Sequence, residues 1–322
     1  MIESIRIYNF RCLRMEKAIA LRPLTVLVGP NDSGKSAFLW ALASLARISG
    51  LQPSDSWRQK EGPTIEARIN GKSYTLGMVA PELQPSSLYQ LPSAGVPMES
   101  SGVEESVGIP ALARDGSNLP AILDSVLRTD RKRFEEIVAA IAERVQGFED
   151  IKIPTPEASK RRIEFVIENG LTIPGSAAST GVRTIVFFVT LAHLPNPPKL
   201  ILLEEPETGV HPKRLEDIVG LLRNVTEGRH GECAQVVLTT HSPYLLDHID
   251  LDRDQVLVFR RRNDGSRAPA AVDREGLRAF LNEFMLGEIW FNRGEEGLLE
   301  AKALSGFSSS VTATVTRSPC RT

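Results

Sequence analysis

Short apolar runs rich in β-branched residues recur along the chain and predict the strands of an α/β fold. Four of them read as buried strands, at residues 24–28, 199–203, 235–239 and 255–259. Residues 2–8 alternate apolar and polar side chains, which predicts a half-buried strand. Further strands are predicted at 18–21, 151–153 and 162–167, and a hairpin over 64–79 that turns at Asn70-Gly71.

Apolar residues at helical spacing predict helices at 36–46, 119–148 and 215–222, the last with Pro212 at its start. Residues 184–194 fit either a helix or a buried strand. Heptads are not sustained beyond about three turns, so no long coiled coil is expected. Residues 81–120 are dense in Pro, Ser and Gly and predict an irregular excursion, and the Ser- and Thr-rich residues 308–322 predict a disordered tail.

Composition bounds the class of protein. Among 322 residues, Lys plus Arg number 38 and Asp plus Glu 40, so a net charge of −2 excludes a broad cationic surface but permits local basic patches. Cys12, Cys233 and Cys320 lie far apart and predict no disulfide framework. The N-terminus does not resemble a signal peptide, and the longest apolar stretch, 185–194, is too short to span a bilayer. A cytoplasmic protein without a membrane partner is expected.

Residues 29–36 follow the first buried run and read G-P-N-D-S-G-K-S. They fit the phosphate-binding pattern G-x-x-x-x-G-K-[ST] and lie between a predicted strand and a predicted helix, as that chemistry requires. Gly29 and Gly34 permit the backbone angles that turn successive N–H groups inward. Lys35 is expected to reach the β- and γ-phosphates of ATP, and the Ser36 hydroxyl to ligate Mg²⁺. The predicted ATP contacts in this segment are Gly29, Pro30, Asn31, Asp32, Ser33, Gly34, Lys35, Ser36 and Ala37.

Two later buried runs end in residues that suit phosphate chemistry. The run 199–203 leads into Glu204 and Glu205; the first is expected to hold Mg²⁺ and the second to accept a proton from the attacking water. A solvated acidic turn is the alternative for this pair. The run 235–239 delivers His241 to the edge of a sheet where ligands gather, although a lone histidine is more often structural. Ser179-Thr180-Gly181 followed by Arg183 is compatible with a simple helix cap.

Taken in order, these segments resemble ABC-type ATPases of the SMC and RecF kind, and more narrowly the bacterial ATPases grouped with the overcoming-lysogenisation-defect (OLD) proteins. Four blocks carry the likeness: residues 7–11 (I-Y-N-F-R), the phosphate loop, residues 203–212 (L-E-E-P-E-T-G-V-H-P) and residues 239–243 (T-T-H-S-P). The first, third and fourth together are specific. Residues 115–119 and 286–290 are weaker matches. The likeness reaches to about residue 300 and implies a P-loop fold of the ABC and SMC-head type, with a mixed central sheet, an N-terminal antiparallel part and a helical lobe.

The resemblance also implies roles. Glu204 would be the Walker B acid, Glu205 the general base, residues 207–212 the D-loop at a dimer contact, and His241 the switch histidine. Residues 179–181 look like a degenerate signature motif, with Ala178 where the family often has Leu. In such proteins the signature of one subunit closes on ATP held by another, so a homodimer or a higher oligomer is implied.

Three further expectations follow from the resemblance. Arg11 would approach the phosphates, and Arg183 would act from the partner head. The glutamine that senses the γ-phosphate has two candidates, Gln84 and Gln90, neither of which the sequence favours. The predicted division of the chain is an N-terminal ATPase lobe (1–80), an irregular and helical insertion (81–150), a C-terminal ATPase lobe (151–300) and a tail (301–322).

Only about eighty residues follow His241, without the acidic cluster of the TOPRIM domain that OLD nucleases carry, so a separate effector such as a nuclease is expected. Three basic runs, 131–133, 160–162 and 260–262, could track DNA phosphates or could simply be solvated. Two functions therefore stay open: an ATP-driven clamp on DNA in repair or phage defence, and a slow nucleotide-sensing scaffold that restrains a toxic partner. A P-loop kinase is a lesser alternative.

Overall fold

The computed structural model describes residues 1–46, 55–56, 62–78, 80–102, 109–157, 159–262 and 264–299. Its strands, in chain order, are β1 (Ile2–Phe10), β2 (Leu13–Arg14), β3 (Ile19–Ala20), β4 (Leu24–Val28), β5 (Thr64–Ile69), β6 (Lys72–Thr75), β7 (Ser86–Gln90), β8 (Glu99–Ser101), β9 (Phe148–Lys152), β10 (Lys160–Arg162), β11 (Glu164–Ile167), β12 (Leu171–Pro174), β13 (Leu200–Glu204), β14 (Gln235–Thr239), β15 (Gln255–Arg261) and β16 (Arg267–Ala271). Its helices are α1 (Lys35–Leu45), α2 (Leu119–Thr129), α3 (Arg131–Ala142), α4 (Thr180–Ala192), α5 (Leu215–Glu227), α6 (Pro243–Leu246), α7 (Arg274–Leu277) and α8 (Leu286–Leu299).

One mixed sheet organises the molecule. Its strand order is β6-β5-β1-β2-β16-β15-β4-β14-β13-β7, with β3 paired to β1. The half from β15 to β7 is parallel. On the other side of β15, the pairs β15–β16, β1–β2, β1–β5 and β5–β6 are antiparallel. The predicted mixed sheet with an N-terminal antiparallel part is therefore confirmed.

Both faces of the parallel half are buried, which explains its uninterrupted apolar runs. Successive side chains of a strand point to opposite faces. In β4, Val26 and Val28 enter a core that also contains α4 and α5, whereas Leu27 enters a second core, between the sheet and α1, that the antiparallel strands close. The sheet thus holds its strand ends in fixed positions from both sides.

The predicted helical stretch 119–148 is two helices. Asp130 interrupts it in a non-helical conformation, and its side chain accepts a hydrogen bond from the Arg133 N–H at 3.1 Å, which caps α3. The ambiguous run 184–194 lies mostly in α4. No long coiled coil occurs within the described ranges, and none of the helices described there is long and apolar enough to cross a membrane.

Several local predictions need correction. Residues 81–120 were expected to be irregular, yet they supply β7, an edge strand of the central sheet, and β8. The single strand expected at 162–167 is two strands that pair with different partners. The hairpin over β5 and β6 is confirmed, with Asn70 and Gly71 both at positive φ in its turn. The tail prediction falls outside the described residues, and the four-part division of the chain stays a prediction.

Candidate nucleotide-binding site

The loop between β4 and α1 has the backbone that its glycines predict. Gly29 and Gly34 have φ of 142° and 101°, values that side chains rarely tolerate. A Cβ at Gly29 would lie 2.5 Å from the carbonyl oxygen of Phe259, and one at Gly34 would lie within 3.2 Å of three neighbouring side chains. The loop is therefore pressed against β15 and the segment after β1, where only glycine fits.

Lys35 begins α1 and is only 6% exposed. Its ammonium donates hydrogen bonds to the carbonyl oxygens of Gly29 at 2.8 Å and Pro30 at 3.0 Å, so it lies over the loop that it follows. Burial lowers its pKa, and the nearby charge of Glu205 partly opposes that shift. The charges of Lys35 and Glu205, which are both predicted to act on one nucleotide, therefore interact with each other.

A cavity of about 630 Å³ opens above this loop. It brings together segments that are far apart in the sequence: the loop, the residue after β1, the residue after β13 and the residues at the end of β14. Ten residues that the sequence predicted to bind ATP or to act in catalysis line the cavity: Arg11, Asn31, Asp32, Ser33, Gly34, Lys35, Ser36, Ala37, Glu205 and His241. Cys12, Thr239 and Arg267 also line it. Gly29, Pro30 and Glu204 lie outside this lining.

Glu205 and His241 lie side by side because β13 and β14 are parallel neighbours, with Glu204 opposite Thr239. The carboxylate Oε1 of Glu205 is 3.6 Å from Nε2 of His241. Glu205 has a φ of 45°, a left-handed conformation that its N–H supports by donating to Thr239. Burial, and secondly the charge of Lys35, lower the pKa of His241, while the charge of Glu205 partly opposes that shift; the net direction favours the neutral imidazole.

The carboxyl end of β13 also supplies an oxygen donor for a metal ion. Glu204 is half-buried and lies opposite Gln90, the last residue of β7, as well as opposite Thr239. A carboxylate and the hydroxyl of Ser36 are hard oxygen donors, which is the ligand class that Mg²⁺ takes in nucleotide sites. The chemistry of these two donors therefore fits the predicted metal, with Ser36 in the lining of the cavity and Glu204 outside it.

The structure separates the two candidate glutamines. Gln84 donates to the carbonyl of Ala46, at the C-terminal end of α1 and thus away from the phosphate loop at its N-terminus. Gln90 ends β7 beside Glu204, and its side-chain oxygen accepts a hydrogen bond from Arg114. Gln90 is thus the glutamine that lies at the same sheet edge as the acids. The sequence could not favour it because β7 is a polar run that becomes recognisable only when paired with β13.

Arg11 is held at the rim of the cavity. It has a φ of 46°, its Nε donates to Asp55 at 2.8 Å, and its guanidinium lies 5.1 Å from the ring centre of Trp40. Arg267, whose N–H donates to the carbonyl of Cys12 at 2.8 Å, also donates from its side chain to the carbonyl of Asp32 at 2.9 Å. Sequence reasoning missed Arg267, since nothing local distinguishes it and it lies 235 positions from its partner.

The predicted signature residues lie elsewhere. Ser179 caps α4 by accepting a hydrogen bond from Val182 N–H at 3.3 Å, and Gly181 packs near the carbonyl of Gly209. Arg183 donates to the carbonyls of Ala94 at 2.5 Å and Val96 at 3.3 Å. None of Ser179, Gly181 and Arg183 lines the cavity. The N-terminus of α4 therefore does not contact the nucleotide site of its own chain.

One carboxylate links the turn after Glu205 to the histidine segment. Glu207 accepts hydrogen bonds on one oxygen from the Thr240 hydroxyl at 2.7 Å and from the His241 N–H at 2.9 Å. Burial raises its pKa above the ordinary value. Further along the same turn, a Cβ on Gly209 would lie 2.6 Å from the Thr180 side chain. The turn therefore contacts both His241 and the predicted signature residues 179–181.

Comparison with known proteins matches the chain to two ATPase family models. Residues 1–72 match the family model described as "AAA ATPase domain", and residues 101–247 match the one described as "AAA domain, putative AbiEii toxin, Type IV TA system". An OLD nuclease from Thermus scotoductus is 24% identical over an alignment of 384 residues, which covers 94% of this chain and 71% of the relative.

Solved structures of SMC heads share the fold. An SMC head bound to the C-winged-helix domain of ScpA has a TM-score of 0.57 and 15% identity over 85% of this chain and 98% of that one. The SMC head domain from Thermotoga maritima has a TM-score of 0.51 and 15% identity over 84% and 99% of the two chains. At these identities the likeness shows the fold alone. The chain is therefore similar in sequence to AAA-family ATPase domains and to an OLD nuclease, and it shares the fold of SMC heads.

Proposed function

We propose that this protein binds ATP with Mg²⁺ on the loop 29–36 and hydrolyses it to ADP and phosphate, as a homodimer that drives a separate effector. The observation that carries the proposal is the convergence of Lys35, Glu205 and His241, from three distant segments, on one cavity. A cation for the phosphates and a carboxylate that positions the attacking water are recurring parts of phosphoryl-transfer sites, and the imidazole of His241 lies beside that carboxylate.

Each residue has a distinct part in the proposed reaction. The loop N–H groups, the N-terminus of α1 and Lys35 bind the phosphates. Ser36 and Glu204 would hold Mg²⁺, which would offset negative charge on the β- and γ-phosphates. Glu205 accepts the proton of the attacking water, and its left-handed backbone directs the side chain away from β13 into the cavity.

Three neighbours complete the proposed site. His241 hydrogen-bonds the γ-phosphate or the attacking water from beside Glu205. Gln90, at the same sheet edge, is the proposed γ-phosphate sensor. Arg11, held by Asp55, adds positive charge at the rim.

The dimer is proposed because the predicted signature residues do not line the cavity of their own chain. Ser179 and Gly181 form the start of α4, and a helix N-terminus favours anions. Because this N-terminus does not line the cavity of its own chain, we propose that it closes on the nucleotide of a second copy. Arg183 is held by backbone carbonyls, so it is proposed to order this segment unless dimerisation releases it.

Action on DNA is the second candidate, and the basic runs support it only in part. Seven of their nine residues form ion pairs within the chain: Arg131, Lys132, Arg133, Lys160, Arg161, Arg162 and Arg262. Most of these pairs are exposed and weak, at roughly 0–1 kcal/mol, so phosphates could replace them. Arg133 and Arg161, however, are only 19% and 12% exposed and are held by Asp130 and Asp124. The basic runs 131–133 and 160–162 therefore cannot offer all their residues to DNA, which favours the effector proposal.

Steady-state hydrolysis of ATP tests both candidates. We expect turnover per subunit to rise with protein concentration, because two copies complete each site, and to vanish on chelation of Mg²⁺. Lys35→Ala should abolish it and serves as the background control. Stimulation by duplex DNA that depends on Arg260 and Arg261 would favour the clamp; indifference to DNA would favour the effector scaffold. Turnover that is independent of concentration would contradict the dimer.

A further inference from the structure

A second groove, of about 800 Å³, lies between α3 and β9, and none of its residues lines the nucleotide cavity. One wall is a single face of α3, on which Phe134, Val138 and Ala142 follow at intervals of four. The other wall is the continuous stretch 149–154. Successive residues of a strand point to opposite faces, so a groove bordered by consecutive residues runs along the edge of β9 rather than over one face.

The edge of β9 that faces this groove is open within the described part of the chain. The small sheet has the order β12-β11-β9, and β9 pairs there with β11 alone. The N–H of Ile151 donates to the carboxylate of Asp150 at 2.8 Å, which shows that this peptide group points away from β11. Open strand edges template the addition of another strand, and a charged side chain on the edge is a common way to protect them.

The charges around the groove are mostly acidic. Glu135 is paired with Arg131 at 3.0 Å, and Glu164 with Arg162 at 2.8 Å. The rim also carries Glu149 and Asp150 on β9, against Lys152, which donates to the Thr172 hydroxyl at 3.2 Å. The floor is apolar, with Phe134 5% and Ile151 4% exposed. An occupant that matches this surface has apolar side chains on one side and basic side chains on the other.

We propose that this groove binds an extended segment of a partner protein, which adds as a strand to β9 and carries alternating apolar and basic residues. Apolar side chains of the segment pack against the face of α3, and its Lys or Arg side chains pair with Glu149 and Asp150. A groove between an edge strand and a helix is a known architecture for peptide binding, in which backbone hydrogen bonds supply affinity and alternate side chains supply specificity. Because α3 packs against α4, the segment would dock on the lobe that carries the signature residues.

Binding of a labelled peptide with alternating Val and Lys, followed by fluorescence anisotropy, tests the proposal. A Val/Glu peptide of equal length is the charge control, and two peptides N-methylated at odd or at even positions test the backbone pairing. We expect a Kd on the order of 1–100 μM for the Val/Lys peptide, weaker binding of the Val/Glu peptide, and loss of binding for one N-methylation pattern only.

Variants locate the site. Asp150→Lys and Val138→Glu should each weaken binding by about tenfold or more, whereas Glu216→Lys, an equal charge change on the exposed face of α5, should not. Equal Tm values for the three variants show that each is folded. Equal affinity for the Val/Glu peptide, equal effects of both N-methylation patterns, or no binding at about 1 mM peptide would overturn the proposal. Self-association of the protein that Asp150→Lys abolishes would assign the groove to a second copy and would also overturn it.

Discussion

The nucleotide cavity and the signature segment (Ser179–Gly181) are both sites of predicted chemistry, but they use their side chains differently. In the cavity, the side chains of Lys35, Glu205 and His241 face the same space. In the signature segment, the Ser179 hydroxyl is occupied as a helix cap, which leaves the N-terminus of α4 as the functional group. The cavity can therefore perform chemistry with side chains, whereas the signature segment can offer mainly backbone N–H groups to a ligand held by another molecule.

The backbone conformation also differs between the cavity and the signature segment. Arg11, Asp32 and Glu205 all have φ between 45° and 57°, a left-handed conformation that costs non-glycine residues about 1–3 kcal/mol each. The signature segment begins an ordinary helix. Strain of this kind persists only where the surrounding structure fixes it, and here hydrogen bonds to Thr239 and to Asp55 hold Glu205 and Arg11 respectively. The cavity is thus preorganised within one subunit, and the proposal adds completion by a second copy.

The largest effect is expected from Glu205→Gln. Removal of a general base lowers turnover by about 10²–10⁴-fold, while ATP binding remains because Lys35 and the loop are unchanged. Trapped ATP should also favour the dimer, which mass photometry would detect. Turnover close to that of the wild type would remove Glu205 from the role of base.

The next effect tests the signature segment. Gly181→Glu places an acid where the partner's phosphates would approach, and we expect loss of both dimerisation and turnover, by about tenfold or more, with unchanged ATP affinity of the monomer. A Cβ at Gly181 would lie 3.6 Å from the Gly209 carbonyl, an ordinary contact, so the fold should tolerate it. Gly220→Glu in α5, which has no atom within 4 Å of its Cβ position, is the matched control. Wild-type turnover in Gly181→Glu would contradict the proposed contact between the signature segment and the partner's nucleotide.

A smaller effect is expected at Glu207, which connects the two regions. Glu207→Leu removes the acceptor for Thr240 and His241, and we expect kcat to fall by about tenfold, the equivalent of one buried hydrogen-bonding group, with little change in KM. Glu207→Gln keeps an acceptor oxygen and should retain turnover. In a His241→Ala background, Glu207→Leu should have no further effect. An additive loss there would show that Glu207 acts only on general stability.

The smallest effect concerns pH. The pKa of His241 is lowered by burial and by Lys35, so the unfolded chain binds its proton more readily than the folded one. The stability contributed by neutral His241 is complete above the ordinary histidine pKa of about 6.5 and is lost as pH falls through that value. The Tm difference between wild type and His241→Gln should therefore be constant from pH 8 to 7 and shift against the wild type below pH 6.5. An unchanged difference would contradict the lowered pKa.

Much of this arrangement could be predicted from the sequence because its causes are local. The loop 29–36 forms where glycines permit positive φ between a strand and a helix, and the runs before Glu204 and His241 are buried strands whose apolar character does not depend on register. Parallel strands end at a common edge, so the proximity of Glu205 and His241 could be inferred before it was seen.

Tertiary structure alone decided the rest. Ser86–Gln90 is too polar to be recognised as a strand and becomes one because β13 offers an edge, which places Gln90 beside Glu204. Arg267 enters the cavity because β16 runs beside β2, a pairing between segments more than 200 residues apart. Basic residues that are equivalent in the sequence also differ in the fold: Arg133 and Arg161 are largely buried in ion pairs, whereas others of the same runs are exposed. Long-range pairing has no local signature, because its free energy comes from contacts that form only when distant segments of the chain meet.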